Sequence, residues 1–219
     1  MIIDLHIHTK PASGCSDLDP VELIEEAKRI GLDGVCLTEH DKIWAPDAIH
    51  KLREEHNFLV LRGVEVTSMD GDILVFGLEK EIDGIVSVRE LRRLVDGVEG
   101  VMIASHPFRG AFIEGKEFSI PGLTLSVEEA CKKSFLEFMD TIESLNGQNS
   151  DLENEFTVKV CQKLNLKGTG GSDAHSHIEI GRSVTIFENR IEDEQDLIKE
   201  LKSGRFRAEM WRYWNGRKI

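Results

Sequence analysis

Two histidines stand two positions apart in the first segment of the chain, MIIDLHIHT, whose other residues are mostly apolar and β-branched. Successive side chains of a strand point to opposite faces, so His6 and His8 share one face, together with Asp4. Imidazole is the commonest metal ligand in proteins, and two imidazoles so placed can bind one ion. A core or surface position without a metal is the alternative for an isolated H-x-H pair.

Further imidazoles and carboxylates stand at the ends of other predicted strands, in the segments TEHD, GVEV, GDIL, SHP, SLNG and GSDAH. They are accompanied by one amide, and the full set is Glu39, His40, Asp41, Glu65, Asp72, His106, Asn146, Asp173 and His175. Any one of them alone is most simply a capping or hydrogen-bonded residue. Unrelated residues would not collect at the same end of successive strands, and facing charges are costly to bury without cations. The set therefore predicts a metal centre.

The donor types narrow the choice of metal. Mixed imidazole and carboxylate ligands, without an evident set of thiolates, suit Zn, Mn or Fe. More than four candidate ligands imply two or three divalent ions, and Glu65 is a natural bridging carboxylate. The four cysteines are scattered and form no C-x-x-C pair, which indicates free thiols in a reducing cytoplasm.

The segments that position these residues alternate between strand-like and helix-like patterns. After the first strand, DPVELIEEAKRIG has apolar residues at helical spacing, with Asp19 and Pro20 at its start and Gly31 at its end. FLVLRGVEVTS and GDILVFGLE are predicted strands joined by a tight turn at MDG, and SVEEACKKSFLE is a predicted helix.

This alternation indicates a single α/β domain with a mostly parallel sheet. No G-x-G-x-x-G follows the first strand, so a closed or nearly closed barrel is favoured over a dinucleotide-binding fold. In such barrels the chemistry lies at the C-terminal ends of the strands, which is where the metal site is expected.

The charge balance limits the classes of partner. The 219 residues include 27 basic and 40 acidic side chains, for a formal net charge of −13. A broad electrostatic grip on nucleic acid is therefore not favoured. The sequence has no apolar run of about 18 residues and no signal-peptide pattern at its start, so we expect no membrane association and a cytoplasmic location. The oligomeric state is left open.

Taken in order, DLHIHT, TEHD with the nearby GVEV, SHP and GSDAH resemble the motifs of the PHP (polymerase and histidinol phosphatase) family. The resemblance covers about residues 1–205 and implies a distorted barrel of seven β/α units with a trinuclear metal centre. Residues 206–219 are expected to form an aromatic and basic tail that packs on the barrel or in an interface.

The resemblance also implies roles for individual residues. One ion is expected at His6, His8 and Asp173, a second at His40 and His175, and a third at His106, with Glu65 as the bridging carboxylate. Together these seven residues form the expected catalytic set. Asn146 stands where some members of the family have a polar ligand or a phosphate contact.

Two positions depart from the family pattern. PASGCSDLDP places Gly14 where many members carry a metal-binding aspartate. Asp17 of the same loop is the candidate ligand in its place, and Cys15 or the absence of this ligand are the alternatives. DGDIL places Asp72 where many members have a histidine, and an aspartate there would keep the third site with an altered metal preference.

Cationic side chains are expected to hold the phosphate of a substrate. Arg109 follows His106 by three residues in SHPFR, and Arg182 and Lys10 are further candidates, with an ordinary surface charge as the alternative for each. The segment 108–126 combines glycine, proline and aromatic residues in a long predicted loop, as substrate lids often do.

The predicted activity is hydrolysis of a small phosphomonoester, such as a nucleotide or a sugar or amino-alcohol phosphate, by a hydroxide formed at the ions. An exonuclease-like phosphodiesterase is one alternative, supported by the terminal segment GRFRAEMWRYWNGRKI. An amidohydrolase-type enzyme, which also begins with H-x-H, and a non-catalytic metal-binding protein are the others. The sequence contains no G-x-S-x-G elbow and no Walker loop, which argues against serine-hydrolase and NTP-driven chemistry.

Overall fold

A computed structural model gives the fold, and it describes residues 1–111, 124–214 and 217–218, with the side chains after residue 212 left undescribed. The strands are β1 (Ile2–Ile7), β2 (Gly34–Leu37), β3 (Leu59–Arg62), β4 (Val64–Ser68), β5 (Gly71–Phe76), β6 (Val101–Ala104), β7 (Thr141–Asn146), β8 (Gly168–Gly171), β9 (Ser183–Phe187), β10 (Phe206–Met210), β11 (Tyr213–Trp214) and β12 (Arg217–Lys218). The helices are α1 (Pro20–Arg29), α2 (Pro46–His56), α3 (Val88–Asp96), α4 (Val127–Ala130), α5 (Asp151–Leu164) and α6 (Glu194–Ser203), with a 3₁₀ helix at Ser134–Phe138. None of the helices in these ranges is long and apolar enough to cross a membrane.

Two mixed five-stranded sheets form the framework. The first has the order β10-β9-β1-β2-β3, in which β1, β2 and β3 are parallel and β9 and β10 are antiparallel to their neighbours. The second has the order β4-β5-β6-β7-β8, antiparallel from β4 to β6 and parallel from β6 to β8. Strands β11 and β12 form a separate antiparallel pair.

The two sheets meet at the ends that carry the polar residues. Isolated parallel bridges join Ile7 to Ala174 and His40 to Glu65. The backbone N–H of His8 also donates to the carbonyl of Ala174 at 3.0 Å. The C-terminal ends of β1 and β2 therefore lie beside the end of β8 and the start of β4, which brings separate sequence motifs together.

The predicted α/β class is confirmed, but a closed barrel of seven β/α units is not found among the described strands. One reason is the β4–β5 hairpin, in which Ser68 pairs with Gly71 around the tight turn that MDG predicts. Gly71 has a φ of +124°, which glycine adopts at little cost. A hairpin reverses the chain direction, so β4, β5 and β6 are antiparallel where a β/α repeat would make them parallel.

Apolar side chains fill the space between the two sheets. Ile3 and Leu5 of β1 share a buried cluster with Phe76 and Ile103 of the second sheet. Helix α1 covers the outer face of the first sheet through Leu23 and its neighbours. Complete burial of each such side chain contributes about 1.5–3 kcal/mol, so this core holds the sheet ends in fixed positions.

Helix α1 begins where its sequence signals indicate. The Asp19 side chain accepts a hydrogen bond from the backbone of Val21, and Pro20 is the first helical residue. SVEEACKKSFLE is not one helix, however. It divides into α4 and the 3₁₀ helix because the backbone of Lys133 is extended. Most of the predicted loop 108–126 lies outside the described residues.

The terminal segment is not a separate tail at its start. Phe206–Met210 forms β10, an edge strand of the first sheet that pairs along its whole length with β9. Trp211 packs on the cluster under α1, and its Nε1–H donates to the carbonyl of Ile30 at 3.1 Å. Arg212 lies 2.8 Å from Glu26 of the same helix. Residues 206–212 therefore pack against the rest of the described chain.

Candidate metal centre

His6 and His8 are fully buried at the C-terminal end of β1. Their Nε2 atoms lie 3.0 Å apart, so the two imidazoles face one point rather than two different neighbours. The intervening Ile7 is turned away from them, into the apolar cluster under α1.

Five donor atoms from four side chains surround that point. His6 Nε2 lies 3.3 Å from Glu65 Oε1 and 3.5 Å from Asp173 Oδ1, while His8 Nε2 lies 3.3 Å from Glu65 Oε2 and 3.2 Å from Asp173 Oδ1. Ligand atoms at about 2.0–2.2 Å from one ion are about 3.0–3.5 Å from each other. The spacing of these four side chains therefore fits a single ion.

Glu65 also belongs to a second group. Its Oε1 lies 3.0 Å from His106 Nε2, and a carboxylate oxygen of Asp72 comes within 4.8 Å of donor atoms of both residues. Because the two oxygens of Glu65 face different imidazoles, the carboxylate is placed to bridge two ions. Burial raises the pKa of Asp72, and the charge of Glu65 raises it further.

A third group consists of three imidazoles, from His8, His40 and His175, with donor atoms within 4.8 Å of one another. The rings of His40 and His175 lie 4.1 and 4.5 Å from that of His8. His175 Nδ1 is 2.9 Å from the carbonyl of Asp173, which fixes the proton on Nδ1 and leaves Nε2 as the donor atom for a metal.

Charges compensate one another across the centre. Burial alone would lower the pKa of His6, but the charges of Glu65, Asp173 and Glu143 raise it well above its usual value. Burial would likewise raise the pKa of Glu65, but the charge of His6 and contacts with neighbouring histidines keep it well below its usual range. A protonated imidazole is unable to bind a metal ion. Bound cations would stabilise the same carboxylates in place of the imidazolium charges and would leave the imidazoles neutral.

One orphaned atom tests whether the residues fit metal ions. Glu65 Oε2 is buried and makes no hydrogen bond to the described residues, although His8 Nε2 and His40 Nδ1 lie 3.3 and 3.0 Å away. A buried carboxylate oxygen without a hydrogen bond is unfavourable. A cation shared with the two ring nitrogens would satisfy it, so the donor set fits divalent ions.

Eight of the nine predicted metal ligands come together in these three groups. They are His6, His8, His40, Glu65, Asp72, His106, Asp173 and His175. The exception is Asp17, whose side chain is exposed and joins none of the groups. Its neighbour Ser16 is buried and donates from Oγ to the carbonyl of His8 at 2.8 Å, while Asp17 is turned outward.

The predicted phosphate-binding residues divide into two pairs. Arg109 donates from Nη2 to Asp173 at 2.6 Å and to Asn146 Oδ1 at 2.7 Å. Arg109 and Asn146 therefore both lie at the edge of the centre. Arg182 instead contacts the carbonyl of Gly147 at 3.4 Å, and Lys10 is exposed. In the described part of the chain, no hydrogen bond or ion pair joins these last two side chains to the three metal-binding groups.

Two buried carboxylates near the histidines serve the framework. Glu39 accepts hydrogen bonds from the backbone of Thr9 at 2.8 Å and from Trp44 Nε1 at 2.8 Å. Asp4 accepts from the backbone of Ser172 at 2.9 Å and of Gly181 at 3.0 Å, and burial raises its pKa to about 6. Both hold loops that carry ligands, and neither belongs to a metal-binding group of the described residues.

Glu143 is the residue near the centre that sequence analysis missed. It is buried in β7, and its Oε1 lies 3.0 Å from His6 Nδ1. The available signal was the one charged residue of the strand TIESLN, which stands three residues before Asn146. A glutamate in a strand is often exposed, so the sequence alone gave no reason to place it here.

Two ligands have an unusual backbone conformation. The φ angles of His106 and Asp173 are +28° and +53°, in the left-handed region that residues other than glycine seldom adopt. Hydrogen bonds hold both residues: the N–H of Asp173 donates to the carbonyl of His6 at 2.7 Å, and that of His106 to Glu143 at 3.0 Å. Such conformations cluster at functional sites, where the surrounding structure maintains them.

A cavity of about 330 Å³ opens beside the second group of ligands. Its lining includes Asp72, His106, Arg109, Asp70 and Phe135. A larger cavity of about 750 Å³ lies at the opposite ends of the strands, and its lining contains no histidine. The smaller cavity is therefore the one placed to receive a molecule bound at the metal centre.

Comparisons with known proteins agree with these motifs. The PHP domain pattern matches residues 4–147, and the PHP-associated pattern (PHP_C) matches residues 151–206. The uncharacterized protein MJ1587 of Methanocaldococcus jannaschii is 30% identical over 118 residues, which are 49% of this chain and 68% of that protein.

Two solved structures share the fold. PsfC from Pseudomonas syringae PB-5123 has a TM-score of 0.64 and 20% identity, over 95% of this chain and 91% of that one. A two-domain protein from Bacteroides vulgatus ATCC 8482, containing a predicted PHP-like metal-dependent phosphoesterase, has a TM-score of 0.68 and 21% identity, over 96% of this chain and 65% of that one. At these identities the likeness establishes a common fold.

Proposed function

The chain belongs to the PHP family, and from that premise we propose that it is a metal-dependent phosphoesterase acting on a small phosphomonoester. The observation that carries the proposal is the spacing of donor atoms around His6 and His8. Their Nε2 atoms lie 3.0 Å from each other and 3.2–3.5 Å from carboxylate oxygens of Glu65 and Asp173. Two or three ions of Mn, Zn or Fe suit this mixture of imidazoles and carboxylates.

The three groups of ligands divide the work of holding the ions. The first ion would be held by His6, His8, Glu65 and Asp173, the second by Glu65, Asp72 and His106, and the third by His40 and His175 beside His8. When bound, divalent ions neutralise phosphate oxygens and lower the pKa of bound water, which is the chemistry that ester hydrolysis requires.

Arg109 is the protein group placed to orient the phosphate. Its Nη2 and Nε are held by Asp173, Asn146 and Asn149, at 2.6, 2.7 and 2.8 Å. These contacts fix the plane of the guanidinium at the edge of the centre, and about a third of the side chain stays exposed. A planar guanidinium held in this way can donate its remaining N–H groups to a phosphate oxygen.

The neighbouring cavity supports a small substrate. Its volume of about 330 Å³ is at the lower end of the range for ligand sites. Phe135 gives it an apolar wall, and Asp70 gives it an acceptor for hydroxyl or amino groups. The alcohol part of the ester would lie here while Arg109 and the ligand groups hold the phosphate.

The terminal segment gives little support to the nucleic-acid alternative. Arg205 pairs with Glu200, and Arg212 pairs with Glu26. Trp211 is packed on the protein rather than free to stack on a base. With the net charge of −13, these contacts favour a small phosphorylated molecule over a nucleic acid as the partner.

The test combines metal analysis with an activity panel. Purified protein is assayed for bound metals, and then for hydrolysis of p-nitrophenyl phosphate, bis-p-nitrophenyl phosphate, mononucleotides and short oligonucleotides with added Mn. We expect monoester turnover that is lost in His8→Ala and retained in His50→Ala, since His50 is exposed on α2. Turnover of oligonucleotides alone would favour the phosphodiesterase. The absence of both metal binding and turnover would favour a non-catalytic protein.

A further inference from the structure

We propose that Glu143 is a positioning residue that holds ligands of two different ions with one carboxylate. The inference rests on the metal centre proposed above. It concerns a residue that none of the three ligand groups contains and that touches neither a proposed ion nor a substrate.

The first oxygen of Glu143 orients an imidazole. Oε1 accepts a hydrogen bond from His6 Nδ1 at 3.0 Å, and both side chains are buried. With the proton held on Nδ1, the lone pair of Nε2 is directed toward His8, Glu65 and Asp173. Metal-binding histidines commonly donate their second N–H to a carboxylate in this way, which fixes the ring and its tautomer.

The second oxygen reaches a ligand of another ion. Oε2 accepts a hydrogen bond from the backbone N–H of His106 at 3.0 Å. That residue has a φ of +28°, so its position depends on contacts that hold the backbone there. One carboxylate thus fixes the ring of His6 and the main chain of His106. These two residues are assigned above to different ions, and their donor atoms also lie within 4.8 Å of each other in a group with Asp173.

The same oxygen extends the network to the phosphate-binding side. Asn146 Nδ2 donates to Glu143 Oε2 at 2.9 Å, and Asn146 Oδ1 accepts from Arg109 at 2.7 Å. Glu143 therefore aligns two ligands and, through one amide, the guanidinium. Glu39, which is equally buried, differs in this respect, because its hydrogen bonds come from Thr9, Ser13 and Trp44.

The neighbouring strand leaves space for this contact. A Cβ at Gly171 would lie 2.6 Å from Glu143 Oε1 and would also clash with the Cβ of His6. Glycine at this position of β8 is therefore required for the imidazole and carboxylate to meet. The Oγ of Ser105 lies 3.5 Å from the same Nδ1, so the contact with Glu143 is the shorter of the two.

Co(II) binding to the full-length protein tests the proposal, because it reports on the ligands without requiring turnover. Glu143→Gln keeps the shape of the side chain but removes its charge and one acceptor oxygen. We expect metal affinity to fall about 10- to 100-fold, as for other groups that orient metal ligands, and the Co(II) absorption bands to shift. Glu200→Gln is the control, since Glu200 of α6 is also buried but pairs with Arg205.

The outcomes separate the two proposals. Wild-type protein that binds no Co(II) overturns the metal centre itself, and the role of Glu143 with it. Tight binding by wild type with unchanged affinity and spectrum in Glu143→Gln overturns the positioning role alone. If Glu143→Gln does not fold, as judged by circular dichroism of the metal-free protein, Glu143→Asp is measured. Its carboxylate is one methylene shorter, and unchanged Co(II) affinity and spectrum there would likewise overturn the role.

Discussion

Arg109 donates to Oδ2 of Asp173 at 2.6 Å, while Oδ1 of the same carboxylate lies 3.2 Å from His8 Nε2. One side chain thus contacts both a cationic group of the protein and the ligands of a proposed ion. This arrangement links the position of the guanidinium to the position of the ligand, so a phosphate held by Arg109 would lie beside the metal centre.

Replacing Arg109 should therefore impair substrate binding more than metal binding. We expect Arg109→Ala to raise KM or lower kcat/KM for phosphomonoesters by about 10- to 100-fold, which corresponds to the loss of a charged hydrogen bond. Steady-state kinetics measures the effect, and Arg190→Ala is the control, because Arg190 is largely exposed. Unchanged kinetics in Arg109→Ala would remove this residue from the substrate site.

Metal ions should stabilise the fold, because the buried carboxylates Glu65 and Asp173 lie together at the centre. At about 100 times Kd, an ion that binds the folded state alone adds about 2.7 kcal/mol to the free energy of unfolding. For a chain of this size that corresponds to a rise in Tm of about 5–10 °C. Thermal unfolding with and without a chelator measures it.

The matched variant for this experiment is His6→Ala, which removes a ligand of the first ion. Its Tm should respond much less to added Mn or Zn than the Tm of wild type. An equal response in the two proteins would show that the stabilising ions bind elsewhere.

The sequence indicates which candidate ligands lie close together because their signal is local. Alternation along a strand places His6 and His8 on one face whatever the rest of the fold does. The motifs also identify the strand ends at which His106 and Asp173 stand. Asp17 was the exception, because the sequence does not show that Ser16, one residue earlier, is buried while Asp17 is exposed.

The parts that the sequence did not predict depend on long-range pairing. The tight turn predicted at MDG indicates that β4 and β5 are antiparallel, but the sequence does not show that β6 also pairs antiparallel with β5 before the sheet becomes parallel. The pairing of β10 with β9 is likewise invisible in a segment rich in arginine and tryptophan. Glu143 is identified by contact with His6, 137 positions away in the chain, rather than by any neighbour in sequence.

Gly171 should tolerate no side chain, because a Cβ there would lie 2.6 Å from Glu143 Oε1. We expect Gly171→Ala to lower the free energy of unfolding by about 1–3 kcal/mol, as for other overpacked sites, and to weaken metal binding. Urea unfolding and a Co(II) titration measure the two effects. Gly14→Ala is the control, since a Cβ at Gly14 meets nothing within 4 Å. Equal stability of the two variants would show that β8 can move away from the centre without cost.

Glu26 should stabilise the protein most at neutral pH, because it connects α1 to the terminal segment. Its carboxylate accepts from Arg29 at 2.6 Å and lies 2.8 Å from Arg212. The hydrogen bonds from Arg29 are the main reason that the pKa of Glu26 is below its usual value, with Arg212 contributing further. Replacement by glutamine should cost about 1 kcal/mol at pH 7, a magnitude typical of a partly exposed ion pair.

The pH dependence follows from the direction of that shift. A carboxylate whose pKa is lower in the folded state contributes fully above its unfolded pKa of about 4.3 and loses its contribution as pH falls through the folded pKa. The difference between wild type and Glu26→Gln should therefore be greatest at pH 7 and shrink below about pH 4, as measured by urea unfolding at several pH values. Glu25→Gln, at an exposed position of the same helix, should show little difference at any pH. A difference that stays constant down to pH 3 would mean that Glu26 acts through packing rather than through its charge.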